Sequence, residues 1–297
     1  FDVIVIGREH HRLVLTDHHI LLDGWSMPLL LSELLTIYSH DGELTALAPV
    51  RPYRHYLAWI AGTDQDAAIT AWRQTMAGVT EPTLVAPAQH QSHVQTPKQV
   101  RADLGENLTQ QLTTQARACG VTINTLMQAA WGATLAIMTG RTDVIFGSVV
   151  SGRPAELAGV ETMVGLFINT IPLRVKLDPR TTVAQHCSNL QRDAAELRDH
   201  SYLAHSQLRS LAGVGEMFDS LLVYESFPPG GVVGGQEFTA GPVSFRPDAM
   251  ESLTHFPVTI AAHPGRTGMT VLIEVTDEAL GPMTAEVLGR RVIATMH

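Results

Sequence analysis

The first forty residues alternate between short apolar runs and polar breaks. FDVIVIG (residues 1–7) and RLVLTD (residues 12–17) are strand-length runs rich in β-branched residues, and a short polar segment separates them. Two such runs with a short connection predict a β-hairpin. Ser26 and Pro28 then open a stretch with leucines at helical spacing, which predicts a helix with one buried face.

Two adjacent histidines follow the second apolar run. His18 and His19 are expected where that strand ends, and Asp23 and Gly24 are expected in the short turn before the helix. Such a junction suits a catalytic group, because the strand holds a side chain rigidly and the loop leaves it accessible. Neighbouring residues of a strand point to opposite faces, so only one of the two histidines would face a site.

The rest of the chain changes repeatedly between helical and strand periodicity, without an internal repeat. Residues 81–99 contain three prolines and no periodicity, which predicts a linker, and PPGGVVGGQ (residues 228–236) is predicted to be a mobile loop. Strands are predicted over KQVRADL, DVIFGSVV, FINTIPLRVKL, DSLLVYESF, HFPVTIAAH and MTVLIEVTD. Helices are predicted over PVRPYRHYLAWIAG, DQDAAITAWRQTMAGV, ENLTQQLTTQARACG, TINTLMQAAWGATLAIMTG, TTVAQHCSNLQRDAAELRDH, SQLRSLAG and GPMTAEVLGRRVIATM. This mixture predicts an α/β fold in which helices pack on a sheet.

Composition narrows the class of protein. The 297 residues carry a formal net charge of −9 and no Lys/Arg-rich block, which argues against nucleic acid as the partner. No apolar stretch reaches the roughly 18 residues of a membrane span, and the first residues lack the pattern of a signal peptide. Cys119 and Cys187 fit a reducing cytoplasm, and a disulfide between them is the less favoured alternative. Because Phe1 already lies inside a predicted strand, we expect a fragment of a longer cytoplasmic protein.

Several segments together carry a family resemblance. The heptapeptide HHILLDG (residues 18–24) matches the HHxxxDG motif of the condensation domains of nonribosomal peptide synthetases. Other segments resemble further blocks of that family, in family order: YRHYLAW (53–59), SGRP (151–154), VGLFINT (164–170), loosely residues 200–207, and LLVYESFP (221–228). His55 departs from the pattern, because an acidic residue is common there. HHxxxDG also occurs in other acyltransferases, whereas the ordered set is specific.

The resemblance implies an α/β fold of two lobes similar to chloramphenicol acetyltransferase, each with a mixed sheet and packed helices. Residues 1–80 would be the remaining part of the N-terminal lobe, 81–99 the linker and 100–297 the C-terminal lobe. It also implies amide bond formation between two thioesters that upstream and downstream carrier-protein domains hold on phosphopantetheine, with an adenylation domain in the same synthetase. The domain itself is expected to bind no cofactor and no metal.

The resemblance also assigns roles to the motif residues. His19 is predicted to be catalytic. From the residues themselves, the Gly24 N–H, near the start of the helix, is predicted to support the thioester oxyanion, and an ordinary turn glycine stays an equal alternative. A general base contributes about 10²–10⁴ fold, whereas the alignment of two tethered reactants reaches effective molarities of about 10⁵–10⁸ M. Positioning should therefore be the larger contribution, and His19 would serve it by hydrogen-bonding the amine.

Six further residues are expected to support or line the site. His18 and Asp23 are predicted to be structural, and the resemblance pairs Asp23 with Arg153 as an ion pair. Trp25, Ser151 and Asn169 are predicted to line the substrate tunnel or to bridge the lobes. From the residues alone, Asn169 is more simply an edge or lobe-crossing residue with a backbone hydrogen bond, because Asn is disfavoured within strands.

Two other functional classes stay open. One is a free-standing acyltransferase that uses a coenzyme A thioester, although the chain has few of the basic clusters that a nucleotide phosphate would require. The other is a partial module that docks carrier domains without catalysis. Because the start of the first lobe is expected to be missing, we also expect the chain alone to have little activity, and residues 1–17 to self-associate or to be loosely held.

Overall fold

The computed structural model describes residues 1–86, 97–225, 237–246, 248, 254–265, 268–276 and 279–297. The predicted linker therefore lies partly outside the described residues. The predicted loop at 228–236 lies outside them, and so does the end of the block at 221–228.

The predicted hairpin at the start of the chain is confirmed. Strands β1 (Asp2–Val5) and β2 (His11–Val14) are antiparallel, and Asp2 pairs with Val14. From Leu15 onward the second apolar run continues without strand structure. Strand β2 therefore ends four residues before His18, and the prediction that the two histidines end a strand is wrong.

Three helices follow the hairpin as predicted: α1 (Ser26–Ser39), α2 (Arg54–Ala61) and α3 (Gln65–Met76), with a 3₁₀ turn at Leu44–Ala46. The buried face expected of α1 is only half-buried, because Ser26 and Pro28 are its buried residues and its leucines stay partly exposed. Helix α3 begins as its sequence dictates, since the Asp64 side chain accepts a hydrogen bond from Ala67 N at 2.9 Å.

A six-stranded mixed sheet confirms the predicted layered α/β fold. It contains the predicted strands β3 (Lys98–Asp103), β4 (Asp143–Ser151), β5 (Ile168–Lys176), β6 (Ser220–Tyr224), β9 (Val258–Pro264) and β10 (Met269–Val275), and a separate hairpin of β7 (Phe238–Ala240) and β8 (Val243–Phe245) was not predicted. The order of strands is β3-β10-β9-β6-β4-β5. Strand β10 is antiparallel to both neighbours, whereas β6 is parallel to β4 and β9.

Five predicted helices accompany the sheet: α4 (Gly105–Ala118), α5 (Ile123–Thr139), α6 (Val183–Arg198), α7 (His205–Ala212) and α8 (Ala285–Ala294). Helix α5 is the most apolar of them, and its Trp131 is fully buried in the same cluster as Phe146 of β4 and Leu288 of α8. Burial of such side chains is worth about 1.5–3 kcal/mol each, so this cluster is the main core of the fold.

The chain forms two compact units, and each is assembled from separated segments. The first contains Phe1–Gly62, Arg153–Ile168 and the described residues of Phe227–Ala249, and the second contains the rest. The segment Arg153–Ile168 belongs to the first unit because Val160, Met163 and Phe167 pack in one apolar cluster with Tyr56 of α2. The predicted lobe boundaries at 81–99 stay a prediction, and the units divide at other positions.

No helix within the described ranges combines the length and the apolar character that a membrane span requires.

Candidate active site

The carboxylate of Asp23 lies at the centre of the turn before α1, and only 2% of this residue is exposed. Its Oδ1 accepts hydrogen bonds from Ser26 N at 2.8 Å and from Arg153 Nη2 at 3.3 Å, and its Oδ2 accepts one from Phe167 N at 3.1 Å. The N–H of Asp23 donates to Gly165 O at 3.1 Å. Burial of a carboxylate requires such donors, so Asp23 fastens the HHxxxDG turn to the segment around residues 165–167.

Ser26, the first residue of α1, is completely buried beside Asp23. Its Oγ accepts hydrogen bonds from Gly165 N and from Arg153 Nη2, both at 3.0 Å. It also lies 2.7 Å from Asp23 Oδ1 and 2.8 Å from Gly165 O, so its single proton is shared between two acceptors. Ser26 is therefore a second fixed link between the turn and Gly165.

The predicted ion pair between Asp23 and Arg153 is present. The side chains are 1% and 7% exposed, respectively. Arg153 Nη1 also donates to the carbonyls of Val160 and Met163, and the guanidinium carbon lies 3.8 Å from the centre of the Phe167 ring. Burial lowers the pKa of Arg153, and the charge of Asp23 opposes that shift. Arg153 thus holds its own segment together and completes the support of Asp23.

Aromatic side chains pack against residues 165–167, next to the Asp23–Arg153 ion pair. Tyr53 donates its hydroxyl proton to Leu166 O at 2.5 Å, and its ring packs edge-on against Phe167 at 5.2 Å. A Cβ on Gly165 would lie 2.3 Å from Tyr53 Cδ2, so only glycine allows this close approach. Tyr56 packs against Phe167 at 4.5 Å, and burial raises the pKa of Tyr56 to about 12. These rings hold residues 165–167 against the turn.

The two histidines lie in the exposed loop between β2 and α1, and they differ in their hydrogen bonds. His19 Nδ1 lies 2.7 Å from Leu22 O, and His18 Nδ1 lies 3.1 Å from Ile20 N. A carbonyl only accepts and a backbone N–H only donates, so Nδ1 of His19 carries a proton while Nδ1 of His18 carries a lone pair. In neutral His19 the lone pair is therefore on Nε2, and this atom has no hydrogen-bond partner among the described residues.

Neither histidine is in a strand. The difference between their hydrogen bonds therefore does not come from the strand alternation that the sequence predicts. The difference comes from the loop backbone, in which Ile20 N donates to His18 and Leu22 O accepts from His19. The different roles predicted for the two residues stay predictions.

Gly24 lies at the exposed end of the same turn, between buried Asp23 and half-buried Trp25. Its N–H has no hydrogen-bond partner among the described residues, so it is free to donate. It lies two residues before the start of α1, where the helix dipole favours negative charge. These are the properties that a donor to a developing oxyanion requires, and that role stays a prediction.

The three predicted lining residues belong to different units. Trp25 is in the first unit, where its Nε1 donates to Glu161 O at 3.0 Å and its ring lies 5.8 Å from the Arg153 guanidinium. Ser151, exposed at the end of β4, and Asn169 of β5 are in the second unit. Their predicted roles in a tunnel or a bridge stay predictions.

Asn169 has the backbone hydrogen bonds that its position in an edge strand suggested. Strand β5 is at the edge of the sheet. Asn169 Nδ2 donates to Ser201 O at 2.7 Å and to Leu203 O at 2.9 Å, and its Oδ1 accepts from Thr170 N at 2.9 Å. The side chain thus ties the strand to the turn after α6.

The sequence does not predict the roles of three residues that hold the turn. It indicates Ser26 only as the start of a helix, and it does not indicate the contact between Gly165 and Tyr53. Both Gly165 and Tyr53 lie in segments with the family resemblance, and this was the available signal. No group of histidine, cysteine, aspartate and glutamate residues in the described part of the chain is arranged to hold a metal ion.

Known proteins match nearly the whole chain. A family model described as Condensation domain matches residues 1–296. A linear gramicidin synthase from Brevibacillus parabrevis is 35% identical over 275 residues, which cover 90% of this chain and 5% of that protein. Chondramide synthase cmdD from Chondromyces crocatus is 37% identical over 269 residues, which cover 89% of this chain and 7% of that protein. The chain thus spans a small part of the curated relatives.

Solved structures share the fold at low sequence identity. The first condensation domain of the calcium-dependent antibiotic synthetase is 22% identical with a TM-score of 0.74, covering 94% of this chain and 62% of that one. The X-domain from teicoplanin biosynthesis is 18% identical with a TM-score of 0.76, covering 94% of this chain and 67% of that one. The mixed sheet with packed helices is therefore the chloramphenicol acetyltransferase-like fold of these domains.

Proposed function

The chain belongs to the condensation domain family, and we propose that it forms an amide bond between two thioesters of nonribosomal peptide synthesis. The donor is an acyl or peptidyl group, and the acceptor is the amine of an aminoacyl group. Each is carried on the phosphopantetheine arm of a carrier-protein domain of the synthetase, upstream or downstream. The observation that carries the proposal is the HHxxxDG turn, which is fixed at buried Asp23 and holds the exposed His19 through Nδ1, so that Nε2 is left for a substrate.

The reaction itself is a nucleophilic acyl transfer. The acceptor nitrogen attacks the thioester carbonyl, a C–N bond forms, and the C–S bond then breaks. The nitrogen loses one proton, and the departing pantetheine sulfur gains one, so atoms and charge balance. His19 Nε2 has the lone pair that accepts the proton or the hydrogen bond of the amine, and Nδ1 stays bonded to Leu22 O. The Gly24 N–H donates to the carbonyl oxygen as negative charge develops there.

Positioning supplies most of the proposed rate enhancement. A free α-amine has a pKa of about 7.7–8.0, so its neutral form at pH 7 costs only about 1 kcal/mol. The need for a strong base is therefore modest, whereas correct alignment of two tethered reactants is worth far more. This favours a histidine held by a short hydrogen bond within a turn that is itself fastened at Asp23.

Asp23 has a supporting role in this mechanism. Its oxygens already accept hydrogen bonds from Ser26, Arg153 and Phe167, and burial keeps them away from a substrate. It acts by holding Gly24 and the start of α1 in place. Neither cofactor nor metal of the domain itself enters the reaction, and phosphopantetheine belongs to the substrates.

A single-turnover assay with the full-length protein that contains this chain tests the proposal. Donor and acceptor carriers are loaded with acyl and aminoacyl phosphopantetheine, and the amide product is followed by mass spectrometry. We expect product only when both carriers are loaded. Equal rates with an acyl-coenzyme A and a free amine would instead identify a free-standing acyltransferase. Carrier binding without any amide product would identify a docking module.

A further inference from the structure

Helix α6 is fastened to the junction between α4 and α5 by one glutamine side chain. Gln191 Nε2 donates to Gly120 O at 3.1 Å, and its Oε1 accepts from Thr122 N at 2.8 Å and from Thr125 Oγ1 at 3.0 Å. Gly120 has a φ of +66°, which reverses the chain at the end of α4. Three hydrogen bonds to one side chain fix this junction against α6.

The two cysteines of the chain lie close in sequence to residues of these hydrogen bonds, Cys119 next to Gly120 and Cys187 four residues before Gln191. Cys119 is the residue that caps the C-terminal end of α4, directly before Gly120, and it packs against the cluster that contains Ala116. Cys187 is four residues before Gln191 on α6 and therefore on the same face as Gln191.

One apolar cluster joins α4 and α6. Ala116, Val121 and Cys187 pack together in its buried part, and Cys119 packs against it from the rim. The structure holds both cysteines as free thiols, with Cys187 only 1% exposed and Cys119 half-buried. The two thiols thus lie in one small cluster, although 67 residues of chain separate them (187 − 119 − 1).

We propose that Cys119 and Cys187 form a redox-sensitive pair that closes to an intramolecular disulfide under oxidising conditions. With a small disulfide such as oxidised glutathione, the Cys119 thiolate attacks one sulfur and releases one glutathione thiol. The Cys187 thiolate then attacks the sulfur of Cys119 and releases the second. Two cysteine thiols are oxidised, one glutathione disulfide is reduced, and the two protons leave with the two glutathione thiols.

The different burial of the two thiols sets the order of these steps. Burial, and after it the nearby Cys119, raises the pKa of the Cys187 thiol. Cys187 is therefore the poorer thiolate and is shielded from the oxidant, whereas Cys119 is accessible. Cys119 is the entry point for the oxidant, and Cys187 resolves the mixed disulfide. The bridge would link the end of α4 to α6 across a long loop, a geometry that stabilises a fold.

Oxidation of the native protein tests the pair. The reduced protein is incubated with glutathione disulfide under native conditions, and free thiols are counted before and after. Peptide mapping without reductant then identifies bridged peptides. We expect loss of both thiols, the mass decrease of two hydrogens, a peptide that joins Cys119 to Cys187, and a Tm about 5–10 °C higher than that of the reduced protein.

The Cys119→Ser variant is the control, because it removes the entry thiol at a half-buried position and changes the size of the side chain little. It should keep the Tm of the reduced protein and give no bridge. A lasting glutathione adduct on Cys119 with Cys187 still reduced would overturn the proposal. So would a bridge that forms only in urea, or one that lowers the Tm, since the thiols would then not be within reach in the native fold.

Discussion

Arg153 Nη2 lies 3.3 Å from Asp23 Oδ1, and both side chains are more than nine-tenths buried. The two residues are 130 positions apart in the sequence. Their contact joins the HHxxxDG turn to a segment that follows β4, and it places two opposite charges where water does not screen them. Removing one charge therefore leaves the other buried and uncompensated.

Asp23→Asn should destabilise the protein by about 3–5 kcal/mol, the usual cost of leaving one member of a buried pair alone. Urea unfolding followed by circular dichroism measures this loss. Asp248→Asn is the matched control, because Asp248 pairs with Arg12 at 2.7 Å with both side chains more than half exposed. An exposed pair contributes about 0–1 kcal/mol. Equal losses for the two variants would contradict a supporting role for Asp23.

Gly165→Ala should displace the Tyr53 ring. The added Cβ would lie 2.3 Å from Tyr53 Cδ2, and overpacking of this kind costs about 1–3 kcal/mol. The change is measured by thermal unfolding. Gly62→Ala is the control, since a Cβ there would meet its nearest atom at 3.5 Å. With Tyr53→Ala already in place, the Gly165→Ala loss should shrink, and additive losses would show that the two residues are not coupled.

Asn169→Ala should remove the donors to Ser201 O and Leu203 O and cost about 1–3 kcal/mol, because part-buried carbonyls lose their partners. Denaturant unfolding gives this value. Asn189→Ala is the control, since that amide makes its bonds on the exposed surface of α6. If Asn169→Ala slowed amide formation at unchanged stability, Asn169 would be a substrate-contacting residue.

Glu274 predicts a pH dependence of stability. Burial raises the pKa of this carboxyl above 4.5, and a hydrogen bond from Gln99 opposes part of the shift. A raised pKa in the fold means that the folded state holds the proton more tightly. The stabilisation is therefore complete below pH 4.5 and is lost as the pH rises through the folded pKa.

Glu274→Gln removes this titration. Relative to the wild type, the variant should become more stable as the pH rises from 4.5 through the raised folded pKa of Glu274, as measured by urea unfolding at each pH. Glu237→Gln is the control, because Glu237 is exposed. Parallel pH profiles for the wild type and Glu274→Gln would contradict the raised pKa.

The sequence predicts what depends on local pattern or on a shared motif. The leucine spacing of α1 and the alternation of strands and helices are local, and the pairing of Asp23 with Arg153 came from a family motif. The extent of β2 was not predictable in the same way, because the length of a strand depends on its pairing with a neighbour. Strands β7 and β8 have three residues each, which is too short for a periodic signal. The contact of Gly165 with Tyr53 exists only once the chain is folded.

The catalytic role of His19 is tested most directly by the single-turnover rate of amide formation. The rate is measured for the full-length protein carrying His19→Ala or His19→Asn. Asparagine keeps a donor near Leu22 O but has no group in place of Nε2. Both variants should lower the rate by about 10²–10³ fold, within the range of general-base catalysis. His18→Ala, the neighbouring control, should lower the Tm or the soluble yield instead. Wild-type rates for both His19 variants would contradict a catalytic His19.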